Sequence, residues 1–330
     1  MMSGSATMIS STATRIAGFV PIQVGTLRTT RADAVDLFIQ YERGSEPRLY
    51  CRAGSRPEEG QFAELAAAGV ANLYVRSGDF ASFSNDLLDS IDALLKEPFV
   101  HSFDKFAALQ LAVAVAVEQA LRLVDCSKFR ALAEKVADDL VALFGDGDPL
   151  PCELFRLARH DFTAFSHVTN VASYNVILAR NAGITEHDEL RKIAVAAMLH
   201  DLGKRFIPAA ILTKTERLTP EERAVIESHP LCGYTDLCDN SNFEFGQLMM
   251  VYQHHEHVDG SGYPVGILKD EIHPWARMLS IVDVFDTMTA QRPNRRPATP
   301  ESVLQYQRQQ AGTVFDGEYV ECWISAMTQA

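Results

Sequence analysis

The residues best suited to chemistry in this chain are five histidines and two aspartates spread over separate stretches. Residues 254–264 read HHEHVDGSGYP, which sets two adjacent imidazoles beside carboxylates and a Gly-Ser-Gly turn carrying Tyr263. Upstream, the run MLHDLGK places His200 next to Asp201; downstream, Asp283 interrupts the apolar run MLSIVDVFDTMT. His167, in FSHVTNVASYNVILAR, and His229, in ESHP, complete the set. Imidazole nitrogens and carboxylate oxygens together suit divalent ions with open coordination positions.

Taken singly, each member has a plainer explanation. His167 shares a helical face with Val171, Tyr174 and Leu178, so it points inward and alone would read as a core histidine. Ile193, Ala197, His200 and Lys204 fall on one helical stripe, with Asp201 beside them, and an isolated Asp-Lys pair at a helix end needs no metal. Thr219 and Glu222 fit a capping box with Pro220 at the first helical position, which leaves His229 at the helix end, where an imidazole often just complements the dipole. As a group the seven are too many for one closed tetrahedral site. They suit two ions sharing a carboxylate, with Asp201 the natural bridge. Iron or manganese is favoured, with zinc or nickel as alternatives. Asp283 sits in a run where a buried charge is costly without a cation. Asp286, one turn later, reads as a support or a cap, and His257 and Asp259 are expected to support rather than ligate.

Two kinds of element must position these groups. Over residues 19–80, FVPIQVGTL, VDLFIQYE, RLYCRAG and NLYVR read as short strands, and EEGQFAELAAAGV as one helix closed by Gly69. From Phe83 the pattern is helical almost to the end, with long amphipathic helices up to Phe144 and a break at GDGDPLP, 145–151. Further helices are predicted around 153–182, 187–203, 219–229, 243–258, 275–290 and 300–311. The fold class expected is mainly α: a C-terminal all-helical domain with a small N-terminal α+β module. The divisions predicted are an unstructured leader over 1–18, the α+β module over 19–97, a helical linker over 98–150 and the site-bearing domain over 151–330. The helices around 83–125 are expected to pair in a homodimer.

Composition narrows the functions. The formal charge of −13 over 330 residues argues against DNA or RNA as partners, because phosphate backbones require clustered Lys and Arg. Cys51, Cys126, Cys152, Cys232, Cys238 and Cys322 form no CxxC pair, which suits reduced thiols in the cytoplasm. The first residues lack the basic and apolar regions of a signal peptide. The apolar run 106–124 contains Gln110, Glu118 and Gln119 and is too short to span a membrane.

HDLGK, ESHPLCG, HHEHVDGSGYP, ARMLSIVDVFDTMTAQRP and AGTVFDGEYV, in that order, resemble the HD-GYP family of the HD phosphohydrolase superfamily. The resemblance implies an all-helical HD-type domain and hydrolysis of cyclic di-GMP to linear pGpG, and onward to GMP, by a water activated at a binuclear centre. It assigns His167, His200, Asp201 and Asp283 to one metal, and Asp201, His229, His254 and His255 to the other. It gives Lys204 a catalytic and substrate-contacting role beside Asp201. Arg292 and Arg295 in QRPNRRP correspond to substrate contacts, as does the loop Gly262-Tyr263-Pro264, which with the N-terminal module is also expected to meet protein partners. Three-metal members carry a Glu where this chain has Thr163, so two ions are expected. The competing expectation is a signalling module that binds cyclic dinucleotides or partners with little turnover.

Overall fold

The computed structural model describes the chain outside residues 1–17, 25–26, 28–34, 42–44, 56–58, 69, 71, 80–82, 84–104, 107, 111–125, 145–163, 213, 215, 239–242, 291–295 and 329–330. Two compact units emerge, Met1–Ala112 and Val113–Ala330.

The first unit holds strands β1 (Phe19–Gln23), β2 (Leu37–Ile39) and β3 (Arg48–Cys51), helix α1 (Glu59–Ala67) and strand β4 (Asn72–Arg76). The strands form one antiparallel sheet in the order β1-β4-β2-β3. Phe19 pairs with Arg76 and Phe38 with Tyr74, and a bulge falls between Leu37 and Phe38. Ile22, Leu37, Leu73, Val75 and Phe62 are buried and form its core. The small α+β reading holds in each of these elements.

The second unit is helical: α2 (Cys126–Phe144), α3 (Ala164–Asn181), α4 (His187–Leu199), a 3-10 turn (Leu202–Phe206), α5 (Ala209–Leu212), α6 (Pro220–Glu227), α7 (His229–Cys238), α8 (Phe245–Gln253), α9 (Pro274–Thr289), α10 (Pro300–Gln309) and α11 (Gly317–Thr328). The hub is α3, which packs on α2, α4, α9 and α11. Every residue of α3 from His167 to Ala179 is buried, as expected of a helix surrounded by others. Tyr174, Phe285 and Trp323 lock α3, α9 and α11 together, with ring centroids 5.1–5.8 Å apart. Such contacts add about 0.5–1.5 kcal/mol each beyond burial. Among the described residues no helix is long and apolar enough to cross a membrane.

Three local expectations are corrected. The helix predicted over 187–203 stops at Leu199, and HDLGK becomes a turn plus a 3-10 segment, so Lys204 leaves the stripe of Ile193 and His200. The cause is Gly203: a Cβ there would lie 1.9 Å from the His229 carbonyl oxygen and 2.5 Å from the Gly233 nitrogen. Main chain touches main chain at this point, and only a glycine permits it. The capping box of Thr219 and Glu222 forms, but α6 ends at Glu227 and His229 opens a new helix, α7, where Pro230 is tolerated in the first turn. α8 ends at Gln253, so His254 caps it and His255 follows in a turn, rather than both lying within a helix over 243–258. The predicted break at 145–151 and most of the run 106–124 lie outside the described residues.

Candidate metal centre

Five segments converge. His167 comes from the first turn of α3, His200 caps α4 with Asp201 next, and His229 opens α7. His254 and His255 follow α8, and Asp283 lies inside α9. Most of these are helix ends, and helix ends supply unpaired carbonyls. His200 Nδ1 donates to the Ala197 oxygen at 2.7 Å, His229 Nδ1 to Ile226 at 2.8 Å and His254 Nδ1 to Val251 at 2.8 Å. A carbonyl only accepts, so each Nδ1 carries the proton and each Nε2 of the neutral ring is a bare lone pair.

Those lone pairs face one another. His229 Nε2 and His254 Nε2 are 3.3 Å apart, and Asp201 Oδ1 is 3.3 Å from His229 Nε2. Asp201 Oδ2 lies 3.5 Å from His200 Nε2 and 3.9 Å from His167 Nε2. Asp283 Oδ1 is 3.2 Å from His167 Nε2 and 3.9 Å from His200 Nε2. Among the described residues, buried His200 Nε2 and Asp201 Oδ1 have no hydrogen-bond partner. Acceptors packed this way repel unless a cation sits among them. The donor atoms fall into three overlapping groups, each within 4.8 Å: His229, His254 and His255; His167, His200 and Asp283; His200, Asp201 and His254. These residues fit divalent ions held by mixed nitrogen and oxygen donors.

The electrostatics agree. Burial alone would lower the His167 imidazole, but its bonds to Asp283 and Asp286 lift it to about 10. Burial pushes His254 well down and His255 to about 3, so both rings stay neutral. Asp201 is buried, which opposes ionisation, yet Lys204 and His200 hold it well below the usual carboxylate range. Asp283 is likewise held down by the His167 hydrogen bond against its burial. The two carboxylates therefore need positive charge where these groups meet.

All seven predicted ligands are brought together. Lys204 Nζ donates to Asp201 Oδ2 at 2.5 Å from a half-exposed position. Tyr263 stacks on His255 with centroids 4.7 Å apart and planes at 25°. Gly262 and Pro264 flank it in the same loop, and a Cβ on Gly262 would meet the His257 nitrogen at 2.3 Å. Arg292, Arg295 and Thr163 lie outside the described residues. His257 and Asp259 bind Ser261 and shape the turn rather than face the centre.

Two carboxylates matter more than their sequence signal suggested. Asp286, 1% exposed, accepts from His167 Nδ1 at 2.7 Å and from Asn170 Nδ2 at 2.9 Å, which turns Nε2 of His167 toward the other ligands. Of its two predicted roles it takes the supporting one. The i, i+3 spacings of His167–Asn170 and Asp283–Asp286 were the available clue. Glu256, inside the most conspicuous string, received no role. It is 2% exposed and accepts from the backbone N–H groups of Val265, Gly266 and Ile267 at 2.7, 2.9 and 3.2 Å.

Residues 156–319 match the family model of the HD domain. The chain is 37% identical over 182 residues to the cyclic di-GMP phosphodiesterase response regulator RpfG of Xanthomonas campestris pv. campestris, covering 53% of this chain and 48% of that protein. It is 33% identical over 162 residues to the 3'3'-cGAMP-specific phosphodiesterase 3 of Vibrio cholerae, covering 49% of this chain and 34% of that one. It thus spans half or less of the length of these relatives. In fold it is similar to Bd1817, an HDG"Y"P protein from Bdellovibrio bacteriovorus, with a TM-score of 0.67 over 92% of this chain and 98% of that one at 16% identity. Over residues 156–319, with HDLGK and HHEHVDGSGYP lining one buried cluster, the chain belongs to the HD domain family.

Proposed function

We propose that the chain is a metal-dependent phosphodiesterase that hydrolyses cyclic di-GMP to linear pGpG, and onward to GMP where the linear form is also accepted. The observation that carries this reading is the position of Asp201, whose two carboxylate oxygens face His229 on one side and His200 and His167 on the other. One ion would be held by His167, His200, Asp201 and Asp283, the second by Asp201, His229, His254 and His255. Two bound divalent ions supply a nucleophile at neutral pH and neutralise charge on phosphoryl oxygens. Iron or manganese suits this donor set best.

The chain's own residues do the remainder. The main-chain bonds at Nδ1 select the tautomer of the neutral ring in which Nε2 of His200, His229 and His254 is the lone pair available to an ion. Lys204 Nζ, bound to Asp201 and half-exposed, would offer positive charge to the phosphoryl oxygens and a proton to the departing sugar oxygen. Arg292 and Arg295 are assigned to a guanine edge or a phosphate, which the planar guanidinium fork matches. Relatives named for cyclic di-GMP and for 3'3'-cGAMP support a second substrate reading, with the mixed dinucleotide as preferred ligand. Side-by-side turnover of the two dinucleotides by anaerobically purified protein, with metal quantification, tests all of this. Binding without turnover at full metal content would leave a sensing module instead of an enzyme.

A further inference from the structure

The loop after the ligand pair His254–His255 is tied to those ligands more tightly than a surface turn requires. The Tyr263 N–H donates to the His255 carbonyl at 3.1 Å, and Gly262 lies so close to the 255–257 backbone that a Cβ would sit 2.5 Å from the His255 oxygen. Beyond Tyr263 the chain turns through Gly266 at φ +78°, a conformation favouring glycine, and three successive N–H groups converge on the Glu256 carboxylate. Glu256 has no ion pair among the described residues. Its carboxyl oxygens are met there by main-chain N–H groups, an arrangement that binds anions well. The loop therefore grips the residue next to a ligand, and the aromatic ring it carries lies flat on that ligand's imidazole.

His255 differs from the other histidines here. His200, His229 and His254 have Nδ1 fixed by a carbonyl and His167 by Asp286, whereas among the described residues no hydrogen bond holds the His255 ring. Its ring meets those of His254 and His229 at 4.1 and 5.1 Å, edge-on or tilted, and Tyr263 is the ring that lies flat against it. We infer that Glu256 is a positioning residue for the metal centre: by anchoring residues 265–267 it keeps Tyr263 stacked on His255 and so aims His255 at its ion. This inference rests on the binuclear reading above. Glu256 touches neither ion nor substrate and acts through the loop.

Metal binding separates this role from a merely structural one. Metal-free wild type, Glu256→Gln, Tyr263→Ala and Tyr263→Phe would be titrated with Co2+, followed by visible absorption, with bound metal counted by elemental analysis and folding checked by thermal melts. Wild type is expected to bind two ions. Glu256→Gln, which puts an amide NH2 among N–H donors, and Tyr263→Ala, which removes the ring but leaves the anchor, should each weaken one of the two ions by about tenfold or more. Tyr263→Phe, which keeps the ring, should bind like wild type. A wild type holding a single ion overturns the binuclear reading, while the ratio of variant to wild-type affinity still judges Glu256. A folded Glu256→Gln with wild-type Co2+ affinity and spectrum overturns the positioning role. Should Glu256→Gln not fold, wild-type affinity in Tyr263→Ala overturns it equally.

Discussion

The two sides of the metal centre are built by different means. On the side of His229 and His254, main-chain carbonyls fix each ring, so the proton sits on Nδ1 whatever side chains surround it. On the side of His167, two side chains do the same work: Asp286 holds the ring and Asn170 holds Asp286. The first arrangement follows from where helices end; the second depends on one carboxylate. A single substitution away from the ligands can therefore disable one side and not the other. Asp201 belongs to both.

The largest effect should come from that shared residue. Asp201→Ala is expected to empty both sides and lower turnover by about a thousandfold, since ions of this kind contribute several kcal/mol to charge stabilisation. Retention of one ion, by elemental analysis, would show the sides to be independent. Next, Gly203→Ala should destabilise the protein by about 2–3 kcal/mol, because the new methyl overlaps the His229 carbonyl and two main-chain segments must part. A melting temperature within one degree of wild type would mean that this contact relaxes easily. Asp286→Asn should weaken the His167-side ion by about 10–100-fold and spare the other. Equal weakening of both would erase the distinction between side-chain and main-chain support.

The effect that is smallest per step is on pH stability, and it applies to chelated protein. His255 stays neutral when folded down to about 3, while the unfolded ring protonates near 6.5, so its contribution is lost as pH falls below about 6.5. His167 behaves oppositely: folded at about 10, it contributes below the unfolded value and loses that contribution as pH rises from about 6.5 toward 10. Each of these two rings should contribute a slope of at most about 1.4 kcal/mol per pH unit. Thermal melts across this range should show a narrow optimum that broadens on adding Mn2+. A melting temperature flat from pH 5 to 9 without metal would contradict both assignments.

Much of this was legible in the chain itself. The ligand types stand out because imidazoles and carboxylates in apolar helices are hard to explain otherwise. The strands were readable as short runs bounded by turns, although their order in the sheet depends on pairings between distant segments. Helix ends were less legible. Nothing local in HDLGK says that Gly203 will meet the carbonyl of His229, so the pattern alone carries the helix too far. α7 was missed because Pro230 reads as a stop, when in a first turn it is a start. Glu256 was invisible for a related reason: its partners are backbone groups nine to eleven residues away, and N–H groups leave no mark in a sequence.

The touching main chains at Gly203 and His229 also set how freely the molecule can change. The chain between Arg205 and Ile226, which includes α5 and the exposed α6, leaves this junction and returns to it, with Arg205 bound to Asp236 at 2.5 Å as a second pin. An excursion closed at its base can grow cheaply, since doubling a flexible loop costs only about 0.6 kcal/mol. Insertions in this stretch should therefore be accommodated without altering the spacing between the shared aspartate and its neighbouring imidazole.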